Sequence, residues 1–180
     1  APKRSSFSHY YNIPNQQGGL SYNDVRAICL DKGGDLWVGT YGGGLNLLRN
    51  GRFVHSGNDM KGYPQWAGQK VRHIAEDANG HIWIASNDGL LLLAQKSLHP
   101  SDLTFRHYSN AKGTMTGVKG NDIYWTLCSD DGNIWITSLG GGLSKLDAYP
   151  QSVNDDTLAF TSLMPSDGLP SNVVYALAAD

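Results

Sequence analysis

One short stretch occurs three times in this chain and limits what it can fold into more than any other feature. It reads Lys32-Gly33-Gly34-Asp35-Leu36-Trp37, then Ala78-Asn79-Gly80-His81-Ile82-Trp83, then Asp130-Asp131-Gly132-Asn133-Ile134-Trp135. Each copy predicts a tight turn followed by a strand that opens on an aliphatic residue and a tryptophan. Gly33-Gly34, Asn79-Gly80 and Asp131-Gly132 are pairs that accept positive φ, so each predicts a type I′ hairpin turn. The flanking residues alternate apolar and polar, as in strands half-buried against a core. One β-hairpin is therefore written three times, and the fold must be built by repetition.

Around these hairpins the chain predicts four strands per unit. The first unit has strands at 25–30, 36–40, 45–48 and 52–55, the last two joined by Asn50-Gly51. The second has 71–76, 82–86, 90–93 and 103–108, and the third has 123–128, 134–138, 143–146 and 158–161. The first-strand anchors Val25, Val71, Ile123 and Val174 are 46, 52 and 51 residues apart. Four strands repeating at a period of about 50 residues are the signature of β-propeller blades. The expected fold class is all-β, with four-stranded antiparallel blades: three complete, and a partial one at each end. Residues 1–19 are expected to hold the last strand of an upstream blade, at Phe7-Ser8-His9-Tyr10, and a loop. Blades are expected at 20–56, 57–108 and 109–162, with the first strand of a further blade in 163–180, ending at Asp180 in line with Asp31 and Asp77. Propellers close with roughly four to eight blades. The expectation is thus a fragment of a longer propeller, or one whose ends other chains cover.

Composition excludes several classes. A net charge of −2, with no run of basic residues, argues against a nucleic-acid partner. No apolar stretch approaches the roughly 20 residues that span a bilayer, so contact with a membrane is expected only through parts of the protein outside this chain. Cys29 and Cys128 fall in different repeats and are read as buried free thiols rather than a disulfide.

The blade pattern reads Asn-x-Val-x-x-Ile-x-x-Asp, then Gly and Trp, then Gly-Gly-Leu, then a Phe-bearing strand. It resembles the two-component regulator propeller repeat, over nearly the whole chain from Leu20 to Asp180. The second copy departs from it with Gln69 in place of Asn23 and Asn121, and the third with Ser129 in place of the aspartate. The resemblance implies the periplasmic sensor half of a hybrid two-component histidine kinase, common in glycan-degrading gut bacteria. There, two seven-bladed propellers precede an immunoglobulin-like domain, a membrane span, a kinase and a DNA-binding regulator. It also implies an oligosaccharide ligand, a homodimer of the full sensor, and remaining blades elsewhere in the parent. The alternatives are a structural or dimerisation propeller without its own ligand, and a lyase or sialidase-like enzyme. The sialidase Asp-box, Ser-x-Asp-x-Gly-x-x-Trp, fits poorly, since Cys128 stands at its serine and Lys32 and Ala78 at its aspartate.

The candidate residues sort by repeat position. Trp37, Trp83 and Trp135 recur at one position and are expected to fill the space between blades rather than to stack on sugars. His9, His55 and His107 recur on separate outer strands, too far apart to converge on an ion, so no metal and no cofactor are expected. Asp31, Asp77 and Asp180 are expected to accept turn hydrogen bonds rather than act as catalytic carboxylates. Gly42-Gly43-Gly44 and Gly140-Gly141-Gly142 precede strands, not helices, so they are linking turns and not phosphate cradles. No catalytic motif is present, and the chain is not expected to be an enzyme. The ligand-binding candidates are Tyr22, Tyr41, Tyr63, Trp66 and Asn87 in the non-repeating loops of one face, and Trp125 near the start of a first strand, with Tyr63 and Trp66 foremost as an exposed pair.

Overall fold

In the computed structural model, which describes residues 8–15, 18–97, 99–148 and 157–179, the repeat becomes three sheets. The first is a meander of β1 (Val25–Leu30), β2 (Leu36–Thr40), β3 (Gly44–Arg49) and β4 (Arg52–His55). The second is β5 (Val71–Glu76), β6 (Ile82–Ser86), β7 (Gly89–Gln95) and β8 (Thr104–Tyr108). A two-residue strand, β9 (Met115–Thr116), precedes the third meander of β10 (Ile123–Cys128), β11 (Ile134–Ser138), β12 (Gly142–Leu146) and β13 (Leu158–Leu163). It pairs in parallel with β13 and makes that sheet five-stranded, which the repeat pattern did not predict. All other pairings are antiparallel, and the described residues contain no α-helix. The fold is all-β and propeller-like, as the repeat predicted.

The hairpin turns are not of type I′. Only the second residue of each pair has positive φ: Gly34 at 87°, Gly80 at 82° and Gly132 at 82°. Asp31 N–H donates to Asp35 O at 3.0 Å, and Gly34 N–H to Asp31 O at 2.9 Å. The same pair of bonds closes the turns at Asp77 and Ser129. Each loop is therefore a three-residue hairpin, a turn followed by one left-handed glycine. The aspartate clasps the first two turns: Asp31 Oδ1 accepts from Asp35 N–H at 2.9 Å, and Asp77 Oδ1 from Asn79 and His81 N–H at 2.9 and 3.0 Å.

The first strands of the three sheets sit side by side, with β5 packed against both β1 and β10. Trp37 is buried between the first two sheets with Val71 and Ile74, and Trp83 between the second and third with Ile123 and Met115. Trp135, at the same repeat position, is half-buried, with Lys145 Nζ 5.6 Å from its ring centroid. No described sheet lies beyond it to close over the indole. At the opposite end Ile28 and Leu30 are 67% and 69% exposed on β1.

Blade contact is close enough to fix residue size. A Cβ on Gly39 would lie 2.3 Å from Val71 Cγ1 and 3.2 Å from Ala27 Cβ. Gly39→Val is therefore expected to destabilise by about 1–3 kcal/mol through overpacking. A shift in the urea midpoint with unchanged m-value checks it.

The two end segments differ from expectation. Residues 8–10 form no strand, and Phe7 lies outside the described residues. The segment packs against the first sheet instead, with the Tyr10 ring edge-on to Phe53 at 5.4 Å. Residues 173–179 also form no strand, and Asp180 lies outside the described residues. A strand needs a laddered neighbour, and neither segment has one among the described residues. Cys29 and Cys128 are free thiols; burial pushes both upward in pKa, Cys128 to about 12.

Candidate functional site

The three inner strands carry the same irregularity at the same place. The register slips between Val25 and Ala27 in β1, between Val71 and His73 in β5, and between Ile123 and Trp125 in β10. The residues left unpaired are Arg26, Arg72 and Tyr124. A β-bulge bends its strand and re-aims a side chain. Here the three re-aimed side chains line one cavity of about 210 Å³, together with Tyr41, Trp125 and Tyr175. That is less than the roughly 300–1,000 Å³ of a full ligand pocket, so it suits part of a longer molecule.

The loop hydrogen bonds hold this rim. Tyr41, Asn87 and Leu139, each just after a second strand, donate N–H to Asp24, Lys70 and Asp122 O of their own blades at 2.8, 3.2 and 2.9 Å. Each following glycine then reaches the next blade: Gly44 to Gln69 O at 2.9 Å, Gly89 to Asn121 O at 2.6 Å, Gly142 to Asn172 O at 2.9 Å. The last of these places residues 172–179 where a fourth inner strand would start. It brings Tyr175 to within 5.1 Å of Tyr124, edge to face.

Charge and aromatic rings alternate in the mouth. Arg72 Cζ lies 4.1 Å from the Tyr124 ring centroid and 5.4 Å from that of Tyr41. Arg26 Cζ and Lys70 Nζ approach the Tyr41 ring at 5.2 and 5.0 Å. Arg72 forks onto Asp122 of the next blade through Nε at 2.7 Å and Nη2 at 2.8 Å. Arg26 does the same to Asp24 at 2.6 and 2.9 Å. The Trp125 ring stacks on His73 at 3.7 Å and 21°. Burial lowers the His73 pKa to about 4, so this imidazole is neutral at neutral pH and covers one face of the indole.

Of the six residues the sequence selected, two line this cavity: Tyr41 and Trp125. Tyr22, 49% exposed, covers Gly42, where a Cβ would lie 2.9 Å from its ring. Asn87 Oδ1 accepts from Lys70 N–H at 3.1 Å and so serves the rim itself. Tyr63 is a correction: it is 4% exposed, and its hydroxyl donates to Gly68 O at 2.7 Å. Its ring fills the first blade interface beside Phe105, so it does not form an exposed pair with Trp66. Trp66 is 63% exposed but lies apart, with Lys112 Nζ 4.2 Å from its ring centroid and His107 edge-on at 5.0 Å. Sequence reasoning missed Arg26, Arg72, Tyr124 and Tyr175. A signal was available: each directly follows one of the anchors Val25, Val71, Ile123 and Val174.

Comparison with known proteins identifies two of the repeats. Residues 19–42 and 65–88 each match the model of the two component regulator propeller. These are two-component regulator propeller repeats. The third copy, outside the matched residues, is the one with Ser129 at the aspartate position and Trp125 just after the bulge. The extracellular domain of the hybrid two component system BT3049 from B. thetaiotaomicron superposes with a TM-score of 0.65 at 22% identity, over 91% of this chain and 20% of that one. That of the hybrid two component system BT4673 gives 0.68 at 20%, over 93% and 22%. A streptogramin B lyase gives 0.53 at 21%, over 82% and 44%. At these identities the likeness is one of fold, and the chain spans about a fifth of the two-component structures. No curated protein matches it.

Proposed function

We propose that this chain is part of the extracytoplasmic, periplasm-facing sensor of a hybrid two-component histidine kinase, and that its bulge-lined mouth binds an oligosaccharide. The observation that carries the reading is the convergence of Arg26, Arg72 and Tyr124, each displaced by a bulge at the same repeat position, into one cavity. Bulges cost ladder hydrogen bonds, and their recurrence beside aromatic rings favours a binding role over a packing one. Aromatic faces stack on sugar rings while guanidinium and indole N–H groups reach the hydroxyls. Binding across strands of three blades, and of a sensor homodimer, would be passed to kinase parts outside this chain. No bond is broken by this segment.

The test is titration calorimetry of the full-length protein with an oligosaccharide panel. Tyr175→Ala, at a 64% exposed position, and Trp125→Ala are each expected to weaken binding about ten-fold or more with the melting temperature kept. Absence of heat across the panel would support a scaffold or dimerisation role instead. Turnover of a sugar would support an enzyme.

A further inference from the structure

We infer that the mouth is built for an anionic sugar, a ring bearing a carboxylate or a sulfate, in preference to a neutral one. This rests on the oligosaccharide reading above and adds the charge of the ligand. Three cationic groups, Arg26, Lys70 and Arg72, gather within 5.4 Å of the single Tyr41 ring centroid. Two carboxylates, Asp24 and Asp122, answer them, and both are held through the Nε–Nη2 edge of an arginine. A guanidinium carries five N–H donors in a fixed fork. An ion pair on the Nε–Nη2 edge leaves the Nη1 side directed elsewhere, and the paired carboxylate fixes the side chain in place. Such an arginine is preorganised for a second anion. The mouth keeps one net positive charge on a chain whose net charge is −2.

The lining also argues against a neutral sugar. A neutral saccharide presents hydroxyls that need acceptors as well as donors. The residues lining the cavity are Arg26, Tyr41, Arg72, Tyr124, Trp125 and Tyr175, with neither a carboxylate nor a carboxamide among them. Phenol oxygens are the only side-chain acceptors they offer, against two guanidinium groups and an indole N–H. The Arg72 side chain is only 17% exposed. Its interaction with an anion is less screened than that of a surface pair. Donors in excess, fixed by ion pairs and partly withdrawn from water, fit carboxylate or sulfate oxygens.

The test uses the full-length protein and matched pairs that differ only in charge. One pair is the tetramer of 1,4-linked galacturonic acid and its full methyl ester; the other is a sulfated galactose tetrasaccharide and its desulfated form. The charged member of at least one pair is expected to bind about ten-fold tighter or more at low salt. That advantage should shrink as salt rises from about 0.05 to 0.5 M. Arg26→Gln with Lys70→Gln, both exposed positions, is expected to reduce the ratio of charged to neutral affinity toward one without changing the melting temperature. Which pair responds tells carboxylate from sulfate. Equal binding of charged and neutral members would overturn the inference and leave the oligosaccharide reading standing. A preference that survives both in the double variant and in Arg72→Gln would place the anion elsewhere and overturn it too. No binding of any member would overturn both.

Discussion

Trp83→Ala is expected to cost about 3–5 kcal/mol of folding free energy, the range for deleting a large buried aromatic side chain. The ring is fully buried between the second and third sheets. Two losses add. The cavity opens at the contact of two blades, inside the cluster that holds Ile123, Ile134 and Met115. The indole N–H also donates to Asp77 Oδ2 at 2.7 Å, so the deletion removes a hydrogen bond from a carboxylate only 4% exposed. Urea unfolding of wild type and variant would read the loss directly. Trp135→Ala provides the internal comparison and should cost clearly less, because that indole is half-buried and no described sheet covers it. Equal losses at the two positions would contradict the packing account.

Asp31→Ala is the second large effect, expected at about 2–4 kcal/mol from a buried, multiply bonded carboxylate. Its side chain is 1% exposed. Oδ2 accepts from Trp37 Nε1 at 2.9 Å and from Lys96 Nζ of the next blade at 2.9 Å, while Oδ1 accepts from Asp35 N–H at 2.9 Å. Removing the carboxylate leaves a buried indole N–H without its acceptor and a turn without its clasp. Burial pushes the Asp31 pKa upward, but the hydrogen bonds from Trp37, Lys96 and Asp35 outweigh it and hold the group below its ordinary value. The sign follows from that. A carboxylate whose pKa is lower when folded stabilises above its unfolded pKa of about 3.9 and loses that contribution as pH falls through the folded value. The stability gap between wild type and Asp31→Asn should therefore be largest near neutral pH and narrow below about pH 4. Urea titrations at pH 7 and about pH 3 would measure it.

The same two side chains show how far the sequence can be read. Asp31 and Trp37 stand out because they recur, and recurrence alone assigned the aspartate to its turn. That it also holds the indole N–H, through the opposite oxygen, is a relation six residues apart along a hairpin, and no periodicity reports it. The type I′ reading failed for a related reason. Gly33-Gly34 permits positive φ at both positions, but the strands pair one residue further out, Asp31 with Asp35, in a longer loop with only Gly34 left-handed that the Asp31 carboxylate clasps. Tyr63 was misplaced because an aromatic residue in a loop is indistinguishable in sequence from one in a core. Its packing against Phe105, Gly44 and Gly68 encloses the ring.

By itself, then, the sequence determined the element type, the strand ladders and the all-β propeller architecture. Hydrophobic alternation and glycine turns are local properties repeated at a fixed period, so they survive without knowledge of the neighbours. The tertiary structure alone decided which residues form the mouth. Arg26, Arg72 and Tyr124 become partners because three bulges, some fifty residues apart in sequence, bring their side chains to one cavity. Convergence of that kind depends on how the sheets are angled around one another, which is set by the packing between blades and written in no single repeat.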